Sequence, residues 1–106
     1  MPVPGNVAVS SDADDGFYDR ADEHLRIASD HLNDATQGGV SASLLYACAR
    51  FNVWVSANRH ESPGEVRRSY GETIEYFVEQ YRKMLVKNLD DYVANFDKYQ
   101  DPEGSD

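Results

Sequence analysis

The sequence predicts an all-α fold, a three-helix antiparallel arrangement with a central apolar helix and a long C-terminal helix. Three observations carry that reading. The stretch Ser41–Arg59, SASLLYACARFNVWVSANR, is the only long segment apolar on more than one side. Before it, Phe17, Ala21, Leu25, Ala28, Leu32 and Ala35 recur at steps of four and three, the spacing of one helix face. After it, Tyr70, Ile74, Phe77, Tyr81, Leu85 and Leu89 repeat the pattern, and Tyr92, Phe96 and Tyr99 continue it.

The first helix is expected to begin near Asp14 or Asp15, where an acid caps free N–H groups and suits the positive helix end. Asp19, Asp22, Glu23, Arg26, Asp30 and Asn33 cover its polar side. Gly38-Gly39 is expected to stop it, since glycine accepts the left-handed geometry of a helix end. So short a connection implies an antiparallel hairpin with the central helix.

For the central helix, Ser41 is the expected cap, with Val40 and Leu45 flanking it as a hydrophobic staple. At about 100° per residue from Ser43, Leu44, Cys48, Phe51 and Val55 fall between roughly 80° and 140°. Ala42, Tyr46, Ala49 and Val53 fall between roughly 240° and 300°. A surface helix has one apolar stripe, so two opposed faces require neighbours on two sides. The helix should end near Asn58 to His60.

Two start signals follow. Ser62-Pro-Gly-Glu65 is a capping box with proline at the first helical position, and Ser69-Tyr-Gly-Glu72 is a second box. The reading adopted is a short turn at the first and the main helix from Tyr70 to Tyr99; a continuous helix from Pro63 is the alternative. Glu79 and Lys83 have the favourable i,i+4 order, worth a few tenths of a kcal/mol. Residues 1–13 and 101–106 read as flexible tails around a single helical domain at 14–100, with Val3, Val7 and Val9 available for loose docking.

Composition sets the limits on function. At 106 residues and 41% hydrophobic, the chain suits one modest core. A net charge of −9 repels phosphates, which argues against nucleic acid and anionic membranes as partners. The longest apolar run, Leu44–Ala49, is far short of a membrane span. One cysteine and an N-terminus without a signal-peptide pattern favour the cytoplasm.

The segments FYDRADEHLRIA, GGVSASLLYACARFNVWV and IEYFVEQYRKMLVKNLDDYVANFDKY resemble a family of small, mostly proteobacterial proteins, the domain of unknown function 3144. The resemblance covers roughly Phe17 to Tyr99 apart from the loop around His60 to Arg68. It implies a helical bacterial protein and brings no functional residues with it.

No residue pattern carries chemistry. His24 and His31 are seven apart, whereas ligands on one helix sit at i,i+3 or i,i+4, so no metal or other cofactor is expected. Cys48 lies among Leu44, Phe51 and Val55 and reads as a packed small hydrophobe. Arg50 and Asn88 are the polar groups set in apolar surroundings; a pocket near Arg50 and Trp54 would use them as anchors. Arg50 equally reads as a snorkelling side chain with a carboxylate partner, and Asn88 as a residue fixing helix register.

The expected function is therefore a non-catalytic helical interaction module that self-associates or binds a protein partner. A small-molecule binding protein or small enzyme is the alternative. The long third helix should overhang the first two, leaving Tyr92, Val93, Phe96 and Tyr99 as an interaction surface for a homodimer.

Overall fold

In the computed structural model, which describes residues 13–100, all regular structure among the described residues is helical. The expected tails and the docking of Val3, Val7 and Val9 lie outside those residues, Ala13 aside. Five helices occur where the sequence suggests three: α1 (Phe17–His31), α2 (Gln37–Ala57), α3 (Pro63–Arg68), α4 (Tyr70–Ala94) and α5 (Phe96–Gln100). The chain divides into two compact units. One contains the segments up to Leu25 and from Gln80; the other is Arg26–Glu79.

The start of α1 uses its acid differently from the expectation. Phe17 N–H reaches the Asp14 carbonyl at 3.1 Å, and the Asp14 carboxylate pairs with the Arg20 guanidinium at 2.8 Å. That guanidinium holds the Asp14 carboxyl below its usual range. Both side chains are exposed, so solvent screens the pair.

Gly38-Gly39 does not end α1. The helix stops at His31, and Leu32, Asn33 and Asp34 each donate to the carbonyl three residues back, tightening the end into a turn. Thr36, not Ser41, caps α2, with its hydroxyl accepting from Gly39 N–H at 3.0 Å. The two glycines occupy the first turn of α2, and Val40, Ser41 and Leu45 all lie within the helix, so the expected cap with its flanking staple does not form there. A Cβ on Gly39 would sit 3.0 Å from Thr36 Oγ1, a tight contact that the hydroxyl would have to ease by a small shift. A Cβ on Gly38 would meet nothing within 4 Å.

The end of α2 falls within a residue of the expectation: Ala57 is last and Asn58 is the cap. Pro63 opens α3 behind Ser62, whose hydroxyl accepts from Glu65 N–H at 3.2 Å. Glu65 completes the box one residue further out than expected, accepting from Glu61 N–H at 2.8 Å. α4 opens at Tyr70, but Ser69 does not cap it; its hydroxyl donates back to the Val66 carbonyl at 3.1 Å. The continuous helix to Tyr99 is interrupted at Asn95. There the side-chain amide donates to both the carbonyl and the carboxylate of Asp91, each at 3.1 Å, while the Asn95 backbone N–H keeps its bond to the same carbonyl at 3.0 Å.

The largest departure concerns burial. The central helix was expected to be the most enclosed element. Within the chain, Val40 alone is buried among the described residues, at 7% exposure. Leu44, Leu45, Tyr46, Phe51, Val53 and Trp54 are all exposed, and every residue from Ser41 to Phe51 is open to solvent. The wheel correctly separates two apolar faces. It says nothing of whether one chain is large enough to cover both.

Candidate functional site

The chemistry available to this chain begins with its surface. Eighteen large apolar side chains are exposed among the described residues, which is far beyond the scattered single hydrophobes of an ordinary surface. α2 makes this sharpest, because it is apolar around its circumference, and such a helix belongs in an interior.

The two faces of α2 are unequal. Val40 is buried, Val55 is half-buried, and Leu44 is the least exposed of the six large apolar side chains just named, at 40%. These three share one side of the helix. On the opposite side, Ala42 and Ala49 are exposed, and Tyr46 and Val53 are open to 67% and 60%. Phe51, on the same side as Leu44 and Val55, is itself open to 62% and stacks on Trp54 at 5.9 Å, so that side is covered only at Val40 and Val55.

The expected C-terminal surface is partly self-covered. Tyr92 and Tyr99 stack with ring centroids 4.9 Å apart, and Phe96 meets Tyr92 edge-on at 5.9 Å. The Tyr99 phenol donates to the Asp91 carboxylate, and that carboxylate raises the Tyr99 pKa. Gln100 donates to the Tyr92 hydroxyl at 2.6 Å. These bonds tie α5 to the end of α4. Tyr92 and Tyr99 are half-buried as a result, while Val93, at 78% exposure, and Phe96 stay open.

The remaining candidates are placed as follows. Arg50 is exposed on α2. Asn88 is exposed on α4 and donates to the Met84 carbonyl at 2.8 Å, a bond within its own helix. His24 and His31 are exposed on α1, and no group of three or more His, Cys, Asp or Glu residues suited to a metal lies among the described residues. Cys48 is exposed rather than packed, with Asn52 Nδ2 at 3.4 Å from its sulfur. The correction has the same source as that for α2: the side of the helix bearing Cys48 is only partly covered by its own chain.

One constellation escaped the sequence reading because its members come from a loop and two helix ends. Ser69 Oγ lies 3.3 Å from His60 Nε2, and His60 Nδ1 lies 3.8 Å from Glu65 Oε1. The residue types are those of a serine–histidine–carboxylate relay. Each end of the row has a competing backbone partner. The Ser69 hydroxyl has one proton and two acceptors within reach, the Val66 carbonyl at 3.1 Å and His60 Nε2 at 3.3 Å, so a backbone carbonyl competes with the imidazole for it. Glu65 spends Oε1 on the Glu61 N–H. The cluster closes the loop between α2 and α3 and holds the joint between α3 and α4.

Among the described residues, no helix is long and apolar enough to cross a membrane. The family model described as Protein of unknown function (DUF3144) matches residues 17–93. The NMR structure of the protein NB7890A from Shewanella is similar to this chain, at 33% identity and a TM-score of 0.65, over 88% of this chain and 99% of its own. No curated protein matches.

Proposed function

This chain belongs to the DUF3144 family of proteins of unknown function, and from that premise we propose that it is a non-catalytic helical interaction module that works by self-association. One observation carries the reading: among the described residues a single one, Val40, is buried, against eighteen large exposed hydrophobes. Leaving that much apolar surface in water opposes folding, and covering it in an assembly removes the cost. The exposed Val93 and Phe96, beside the stacked Tyr92 and Tyr99, add a second apolar patch to the surface of α2. An exposed lone thiol at Cys48 suits a reducing, cytoplasmic setting. The antiparallel course of the long helices, implied by short connections, belongs to the same proposal.

Light scattering coupled to size-exclusion chromatography tests it. The expected result is a mass at least twice the 11.9 kDa of the chain at micromolar concentration. A folded, strictly monomeric species over the whole micromolar range would overturn it. A stable complex with a different, copurifying protein and no homo-oligomer would also overturn it. Phe96→Asp separates the two patches: weakened association assigns a share to the C-terminal surface, and unchanged association leaves α2 as the contact.

A further inference from the structure

Ala42, Tyr46, Ala49 and Val53 follow one another at steps of four, three and four along α2. That is the spacing of a coiled-coil seam. All four are exposed, and all lie opposite the side that carries Val40, which is buried, and Val55, which is half-buried. Resting on the self-association reading, we propose that this seam packs against the same seam of a second copy, antiparallel, about a two-fold axis passing between Ala47 and Cys48.

The pattern of sizes sets the direction. Around that axis Ala42 faces Val53 of the second copy, and Tyr46 faces its Ala49. Each layer then joins one large side chain to one small one, so knobs fill holes evenly. A parallel pairing in register would set Tyr46 against Tyr46 and Ala42 against Ala42, giving one overfull layer and one hollow one. A closed two-fold contact uses the same patch on both chains, which a self-complementary seam satisfies without a different partner.

Charge points to the same helix. Each copy carries a net charge of −9, so two copies repel wherever carboxylates face each other. α1, α3 and α4 all contain acidic residues; α2 contains none, and its single charge is Arg50. The area is of the right order as well. Tyr46 and Val53, with Leu45 and Trp54 flanking them, are 53–67% exposed. Taken with the two alanines, and at about 150–250 Å² for a large side chain, they offer on the order of 500 Å² per chain. Specific interfaces start near 600 Å² per partner, so the seam supplies most of what a stable dimer needs.

Disulfide trapping reads the geometry directly. Two chains are prepared on a Cys48→Ser background, one carrying Ala42→Cys and the other, isotopically labelled, carrying Val53→Cys. They are mixed, oxidised mildly and weighed by mass spectrometry, with light scattering on the same samples. In the antiparallel seam two copies of position 42 lie about 16 Å apart along the axis, beyond the roughly 7 Å that a disulfide spans. The expected product is the mixed 42–53 disulfide, at least tenfold over either symmetric one. Dominant symmetric disulfides would show a parallel seam and overturn the proposal. A dimer by light scattering with no disulfide at either position would overturn this seam while leaving self-association standing. A folded monomer would overturn both.

Discussion

Val40 and Val53 stand on the same helix, are the same residue type and differ in one respect: 7% against 60% exposure. Valine to alanine removes two carbons, worth about 0.8 kcal/mol each when fully buried. Scaled by burial within the chain, Val40→Ala loses about 1.5 kcal/mol and Val53→Ala about 0.6 kcal/mol. Alanine is the better helix former by about 0.5 kcal/mol, which offsets both equally. In dilute, monomeric protein the net costs are therefore about 1 kcal/mol and close to zero, and any cavity left at Val40 widens the gap. Urea unfolding followed by helical circular dichroism and by the fluorescence of Trp54, the only tryptophan, measures both variants. At concentrations where the protein associates, Val53→Ala should rise to match Val40→Ala, because its side chain is then covered. Equal costs in the dilute monomer would refute the burial contrast. A Val53→Ala cost that stays near zero at every concentration would refute the covered face.

Thr36→Ala should destabilise the protein by about 1 kcal/mol through loss of the Gly39 N–H acceptor, measured by the same unfolding curves; Ser41→Ala should be nearly neutral, because Ser41 does not cap. The exposed Cys48 thiol should react with a thiol reagent in the folded protein nearly as fast as in denaturant, and it should do so in the dimer too, since it lies off the proposed seam; strong native protection would place it in a contact. Tyr99 should lose its proton above the ordinary tyrosine value, because its phenol donates to the Asp91 carboxylate. Its pKa is raised in the folded state, so the stabilisation is whole below the ordinary value of 10.0 and is lost as pH climbs through the folded value. Phenolate absorbance should therefore show a late-titrating group that Tyr99→Phe removes.

Local signals proved legible where one residue's chemistry settles the backbone. Ser62, Pro63 and Glu65 start α3 as their motif predicts, because the cap, the fixed proline φ and the returning carboxylate all act within four residues. The helical periods of α1, α2 and α4 follow from spacing alone. Gly38-Gly39 misleads because glycine suits either side of a helix boundary. It was the approach of Thr36 to Gly39 that assigned both glycines to the start of α2. The break at Asn95 was not legible either, because the apolar spacing runs through it unchanged from Tyr92 to Phe96 and Tyr99.

What the sequence by itself determined is the helical class, the acidic surface and the two opposed apolar faces of α2, all of which are properties of composition and periodicity. What only the tertiary structure decided is which of those faces its own chain covers. Val55 is half-buried and Val53 is open although the wheel gives each of them an apolar face to be covered. Burial depends on the area that neighbouring elements bring to a surface, and no residue encodes that area alone.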